Sequence, residues 1–169
     1  MKRWLYLGIG IGALWIQLTV FSWLSVFGLK PNLLLLTVLV LGLRWMEPWL
    51  FVYAALAGLA LDVFSHGVLG IYGLSMFLTA FAALYVGNAM YENSLWFIVS
   101  AVAGLSLFEG VVSVSIFEML DPNVPWWNWL LTRSLPVSVY HGFLAPFLLW
   151  GMIRLERLLK IGDMMGARQ

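Results

Sequence analysis

The chain has 169 residues, of which 63% are hydrophobic and only 10% are charged. A water-soluble domain of this length could not cover so much apolar surface with so few polar side chains, so most of the chain is expected to face lipid. The net charge of +1 gives no reason to expect a nucleic-acid partner. Cysteine is absent, which excludes disulfides, thiolate metal sites and cysteine nucleophiles.

Successive apolar stretches predict an all-α integral membrane protein with one transmembrane domain of six helices. The first stretch is too long for a signal peptide and has no A-x-A-type cleavage site, so we expect a retained helix. The second stretch reaches only roughly 22 Å at about 1.5 Å per residue, against a hydrocarbon core of about 30 Å. It must therefore thin the bilayer locally or be shielded by neighbouring helices. The predicted helices cover approximately residues 4–27, 31–45, 48–65, 68–88, 93–118 and 133–159, followed by a basic cytoplasmic tail at 160–169.

Basic residues indicate which side of the membrane each connection faces. With six helices and both termini in the cytoplasm, only Lys30 and Arg133 lie outside, as the positive-inside rule favours. If the short second helix were re-entrant instead, the basic C-terminal segment would lie outside. The segment DPNVPWWNW, between the fifth and sixth helices, is predicted to be irregular, with its tryptophans at the outer interface. The basic residues assigned to the cytoplasmic side are Lys2, Arg3, Arg44, Arg154, Arg157, Lys160 and Arg168.

Ionisable residues within spanning helices are costly, so each one needs a structural or functional reason. Counted from the helix ends, Asp62, Glu109 and His141 all fall in the outer half of the membrane, where a polar cluster or a pocket open to the outer side is expected. Asp62 and His66 can pair at i, i+4 if the third helix continues one more turn. The chain break after Ser65 favours a different interpretation, in which Asp62 and Ser65 satisfy the first free amides of the fourth helix.

Glu109 has no charged neighbour in sequence, so it is expected to be protonated or bonded to another helix. A structural bond is favoured over a substrate or proton site.

Catalytic motifs are missing from the sequence. H-E-x-x-H, G-x-S-x-G and phosphate-binding loops are absent, so we expect no enzymatic activity and no cofactor. A zinc site from His66, His141, Asp62 and Glu109 is chemically allowed, but two histidines in different helices indicate it only weakly. No metal is therefore predicted.

Small residues at four-residue spacing predict two surfaces where another helix can approach closely. Gly8 and Gly12 form one on the first helix, and Ala54 and Gly58 form the other on the third. Both are candidate docking surfaces for a partner helix. The residues Arg154, Arg157 and Lys160 are expected to anchor the topology at the cytoplasmic side and can reach a partner or anionic lipid.

Three segments, KPNLLLLTVLVLGLRW, LALDVFSHGVLG and YHGFLAPFLLWGMIRLERLL, resemble the rod shape-determining protein MreD family. The most specific part is Pro31 at the start of the second helix, together with Asp62, Ser65 and Gly70. Members of the family often have glycine or proline at the positions of His66 to Val68, and asparagine is common near His141.

The resemblance implies a non-enzymatic scaffold in the bacterial cytoplasmic (inner) membrane. Such proteins work with the membrane-anchored protein MreC, alongside MreB, RodA and the elongation transpeptidase, in peptidoglycan synthesis and cell shape. The family fold is thought to be similar to the six-helix substrate-binding subunits of energy-coupling-factor transporters. That similarity supplies an alternative function, an outward-facing subunit that binds a vitamin-like small molecule. Helix one lacks the alanine-xxx-alanine pattern that such subunits commonly use, which favours the scaffold.

Overall fold

A computed structural model describes residues 31–45, 49–65, 68–89, 94–123 and 125–158, together with residues 8, 11–13, 15 and 17. Every regular element in these ranges is helical, which confirms the all-α prediction for this part of the chain. A five-residue π-helical segment, Leu130–Ser134, joins the last two helices. The helices are α1 (Leu33–Trp45), α2 (Leu50–Ser65), α3 (Ile71–Ala89), α4 (Leu95–Leu120), α5 (Trp126–Trp129) and α6 (Leu135–Leu158).

Among the described residues, three helical stretches are long and apolar enough to cross a membrane: Ile71–Ala89, Leu95–Leu120 and Trp126–Leu155. α1 and α2 are equally apolar in character but shorter, with 13 and 16 residues. These lengths and compositions are consistent with a membrane protein. Most of the first predicted helix and all of the tail at 160–169 lie outside the described residues, so the count of six helices stays a prediction.

α1 is buried on all of its faces. Every side chain from Leu34 to Leu41 is at most 2% exposed. Because an α-helix completes a turn every 3.6 residues, this run covers the whole circumference. The helices α2, α3, α4 and α6 all pack against α1. Shielding by neighbouring helices, one of the two solutions expected for so short a helix, is therefore the one observed in the described part of the bundle.

The contact between α2 and α3 depends on a small-residue face of α2. A methyl group on Gly58 would overlap the carbonyl oxygen of Tyr72 and lie 2.6 Å from the Cα of Gly73. Ala54, one turn earlier, is fully buried. The Ala54 and Gly58 face is thus occupied inside the protein. This corrects the prediction that it docks a partner helix, because four-residue spacing marks close approach without saying which helix approaches.

Glycines also allow close contact between other helix pairs. A methyl group on Gly87 of α3 would lie 2.9 Å from the carbonyl oxygen of Gly42 in α1. In the same way, a methyl group on Gly110 of α4 would lie 2.6 Å from the Cβ of Ser134. The second contact holds the π-helical segment against α4, beside the cavity described below.

The last helical stretch begins at Trp126 rather than at residue 133, so the prediction of an irregular tryptophan-rich segment is wrong for Trp126–Trp129. The backbone stays helical through the π-helical segment, where the amide of Leu135 donates to the carbonyl of Leu130. Pro136 follows directly, and a proline ring would clash with the carbonyl four residues earlier in a regular α-helix. The wider π turn makes room for this ring, and such turns often lie at functional sites.

Candidate functional site

Asp62 stabilises the turn between α2 and α3. Its side chain is 1% exposed. Its Oδ2 accepts hydrogen bonds from the amides of Gly70 (2.9 Å) and Gly73 (3.1 Å), and its Oδ1 accepts one from the amide of Tyr72 (3.0 Å). Amides in the first turn of a helix have no partner within the helix. Asp62 therefore accepts hydrogen bonds from the free amides at the start of α3, which is one of the two roles expected from the sequence. It does so from a buried position rather than from the membrane interface.

The neighbouring polar residues of the motif are less fully described. Ser65 is the last residue of α2. His66 lies outside the described residues, so its pairing with Asp62 stays a prediction. Gly70 has a φ of 99°, a conformation that favours glycine, and this allows its amide to point back at Asp62.

His141 of α6 connects the beginning of α1 to the middle of α4. It is fully buried. Its Nε2 accepts a hydrogen bond from the amide of Asn32 (2.8 Å), and its Nδ1 lies 2.6 Å from the Oγ of Ser106. Two further bonds hold the first turn of α1, because Leu34 donates its amide to Oε1 of Gln17 (3.2 Å) and Leu35 donates its amide to Oδ1 of Asn32 (3.1 Å).

The Asn32 bond determines the tautomer of His141. A backbone amide can only donate, so Nε2 must carry a free lone pair and the ring must be neutral with its proton on Nδ1. Nδ1 then donates to Ser106, which acts as the acceptor. A serine nucleophile requires the reverse arrangement, in which an imidazole nitrogen accepts the hydroxyl proton. The pair therefore has a structural arrangement rather than that of a nucleophile and its base.

Glu109 of α4 is the third buried ionisable residue, at 9% exposure. Its Oε1 accepts hydrogen bonds from the hydroxyls of Ser113 (2.7 Å) and Ser75 (3.2 Å), the second of which comes from α3. The expected bond to another helix is thus present. Its Oε2 has no hydrogen-bond partner among the described residues. This oxygen therefore retains capacity for a further donor.

Glu109 and His141 line one partly open cavity of about 270 Å³. The cavity lies where α1 and α3 begin and where α2 ends, and it extends along α4 toward the π-helical segment. Asp62 is not part of its lining. The structure therefore brings two of the predicted polar residues together and gives Asp62 a separate role. The lining residues are Gln17, Asn32, Leu35, Leu61, Tyr72, Ser106, Glu109, Gly110, Ser113, Val114, Trp129, Arg133, Ser134, Val137 and His141.

Arg133 supplies a cation to this cavity. Its guanidinium carbon lies 5.2 Å from the centre of the Trp129 ring, and both residues contribute to the lining. Arg133 is exposed, and no carboxylate in the described part of the chain lies within ion-pair distance of it. The cavity thus combines a buried carboxyl group with an accessible guanidinium group.

Sequence reasoning missed several lining residues. Ser106 and Ser113 carry a visible signal, because they flank Glu109 at helical spacing. Gln17 is likewise visible as a polar residue in an apolar stretch. Tyr72 and Trp129 carry no such signal, since aromatic residues are common in membrane helices.

The remaining predicted residues lie away from the cavity. A methyl group on Gly8 or Gly12 would meet no atom within 4 Å in the described part of the chain, so this face is open there. Arg154 and Arg157 are exposed near the end of α6, and Arg154 lies 5.3 Å from the centre of the Trp150 ring. Lys160 lies outside the described residues. Within the described residues, no group of three His, Asp or Glu side chains could hold a metal ion.

Comparison with known proteins identified no similar protein. No family model matches the chain, and no curated protein or solved structure matches it. In the part of the chain that the structure describes, the geometry defines a helical bundle with three stretches able to cross a membrane, and a partly open cavity that is lined by both polar and apolar residues.

Proposed function

We propose that this chain is a multi-pass protein of the bacterial cytoplasmic membrane that acts as a non-enzymatic scaffold of the cell-elongation machinery. Six spanning helices, with both termini in the cytoplasm, belong to this proposal. The supporting observation is the role of the polar residues in the segments that resemble MreD. They hold helix ends together: Asp62 binds the amides before and within α3, and His141 binds the amide of Asn32 before α1.

These contacts support a scaffold for a physical reason. Each one satisfies a backbone amide that would otherwise be costly inside an apolar bundle. Asp62 and Gly70, two of the residues that carry the resemblance, thereby have a structural role, and the buried serine and histidine pair is not arranged for nucleophilic attack. A protein whose shared residues maintain its shape is suited to presenting surfaces to partners.

The proposed partner is MreC, with MreB, RodA and the elongation transpeptidase as further members of the complex. Because Ala54 and Gly58 are occupied internally, the remaining candidate docking surface is the face at Gly8 and Gly12, where a methyl group would meet no atom of the described residues within 4 Å. A partner helix could approach closely there. The exposed Arg154 and Arg157 suit contact with anionic lipid or a cytoplasmic partner.

Purification of the tagged protein from its native membrane in mild detergent, followed by mass spectrometry, tests this proposal. Retention of MreC in stoichiometric amount is the expected result. The double variant Gly8→Leu with Gly12→Leu should reduce MreC recovery, while Gly104→Leu should not, since Gly104 is equally open but lies on α4. A well-folded wild-type preparation without MreC would contradict the scaffold function, and equal recovery from both variants would remove only the docking surface.

The cavity favours a second candidate function, a small-molecule binding subunit of a membrane transporter. Its volume of about 270 Å³ is close to the lower end for small-ligand sites. The same purification separates the two functions. A bound vitamin-sized molecule or an ATPase-linked coupling subunit, recovered without MreC, would favour transport.

A further inference from the structure

We infer that the cavity binds a small zwitterionic group, with a primary ammonium held at Glu109 and a phosphate held at Arg133. A phosphoethanolamine group has this chemistry, either as a lipid headgroup or as a free molecule. The inference does not depend on the scaffold function, because a scaffold and a transport subunit could each hold such a ligand.

The first step concerns the charge of Glu109. A carboxylate buried to this extent is stable only when it is paired and fully hydrogen-bonded. Ser75 and Ser113 satisfy Oε1, but Oε2 has no partner among the described residues although Glu109 lines the cavity. Glu109 therefore brings to the cavity lining a carboxyl oxygen that has no hydrogen-bond partner among the described residues.

The second step concerns the hydroxyl groups around Glu109. Ser113 uses its proton to donate to Glu109, so its lone pairs are left to accept. Ser106 accepts from His141 with one lone pair, and it keeps its second lone pair and its own hydroxyl proton. Together with Oε2 of Glu109 and the lone pairs of Ser113, this wall of the cavity therefore offers more acceptors than donors. A primary ammonium group, which has three donors and no acceptor, complements it better than a neutral or anionic group.

The third step concerns the other part of the cavity. The guanidinium group of Arg133, beside Trp129, has no carboxylate partner in the described part of the chain. Guanidinium groups bind phosphate through two parallel hydrogen bonds.

The size of the cavity limits the ligand. A volume of about 270 Å³ corresponds to roughly nine water molecules at about 30 Å³ each. This suits a headgroup or a compact metabolite but not a large cofactor. Because the cavity is partly open, lipid chains attached to the phosphate could leave it.

The inference is tested on the full-length protein after its exchange into lipid-free detergent, by measuring the binding of four probes. The probes are phosphatidylethanolamine, phosphatidylcholine, free phosphoethanolamine and free phosphocholine, measured by native mass spectrometry and by thermal shift. The ethanolamine forms should bind at least roughly tenfold more tightly than the choline forms, which lack N–H donors. Binding of the lipid alone would identify a headgroup as the ligand, and binding of the free form would show that the headgroup suffices.

Three variants locate the binding. Glu109→Gln should abolish the preference for ethanolamine over choline, while Arg133→Gln should weaken both forms and keep the preference. Glu118→Gln is the matched control, because Glu118 is an exposed carboxylate on the same helix, outside the cavity. Glu109→Gln should still fold, since the amide oxygen can accept from Ser75 and Ser113.

Several results would overturn the inference. Equal binding of the ethanolamine and choline forms would do so, as would no binding of any probe or an unchanged preference in Glu109→Gln. A rival arrangement is an internal pair between Glu109 and Arg133. In that case, without ligand, the change in melting temperature of the double variant would differ strongly from the sum of the changes in the two single variants. That result would also refute the inference. If Glu109→Gln did not fold, the wild-type preference and the effect of Arg133→Gln would decide.

Discussion

Replacement of Asp62 by asparagine is expected to destabilise the protein strongly, because one side chain holds three backbone amides. Oδ2 accepts from Gly70 and Gly73, and Oδ1 accepts from Tyr72. Asparagine has only one acceptor oxygen. In its best orientation this oxygen keeps the first two bonds, and its amino group then faces the amide of Tyr72, so two donors oppose each other.

The magnitude follows from these three bonds. A hydrogen bond to a charged group contributes about 1.5–3 kcal/mol, whereas a neutral one contributes about 1 kcal/mol. Losing one bond costs about 1.5–3 kcal/mol, and weakening two others costs about 1–4 kcal/mol more, but much of this sum is offset because burying a neutral side chain is easier than burying a carboxylate. We therefore expect a loss of about 2–3 kcal/mol in the free energy of unfolding. For a chain of this size, that lowers the melting temperature by about 4–12 °C.

Thermal unfolding in detergent, followed by the fluorescence of the 10 tryptophans, measures this change. Asp121→Asn is the matched control. Asp121 is exposed, and its bonds within the described residues come from Asn123, two residues later, so its replacement should leave the melting temperature nearly unchanged. If Asp62→Asn melted within about 2 °C of the wild type, the bonds to α3 would contribute little and the structural role of Asp62 would be refuted.

Three further predictions address packing, the α1 junction and topology. Gly58→Ala should cost about 1–3 kcal/mol because its methyl group meets the backbone of α3, while Gly104→Ala should not destabilise; equal melting temperatures would contradict the close contact. His141→Phe should cost about 1–3 kcal/mol, since it leaves the partly buried amide of Asn32 without its acceptor. A melting temperature equal to that of the wild type would argue against the bond. Because the chain lacks cysteine, single replacements Asp121→Cys and Arg157→Cys report topology in intact cells. A membrane-impermeant maleimide should label the first and not the second, and the reverse pattern would exclude a cytoplasmic C-terminus.

Helix positions were predictable where the sequence contains strong boundary signals. Pro31 precedes α1, and the segment after Ser65 separates α2 from α3, close to the predicted limits. The prediction failed at Trp126, where prolines and aromatic residues indicated a loop. Pro125 is the N-cap residue of α5 instead, and proline is well tolerated at the beginning of a helix.

The candidate site was predictable only in part. Glu109 and His141 were identifiable because ionisable groups in apolar helices require partners. Arg133 was assigned to an outer connection. Its position in the cavity depends on the π-helical segment, and no local sequence pattern predicted that segment. The error at Gly58 has a related cause. Small-residue spacing reveals that a helix approaches closely, whereas the identity of that helix depends on the order of the bundle in space.

The use of hydrogen-bonding capacity separates structural from ligand-binding residues in this bundle. The two carboxylate oxygens of Asp62 accept hydrogen bonds from three backbone amides, and both ring nitrogens of His141 have hydrogen-bond partners. Glu109 differs, because one of its oxygens has no partner among the described residues and the residue lines a cavity. Loss of charge at Asp62 should therefore reduce stability, whereas the same change at Glu109 should preserve stability and reduce binding of a primary ammonium ligand. If both changes only reduced stability, Glu109 would be a structural residue like Asp62.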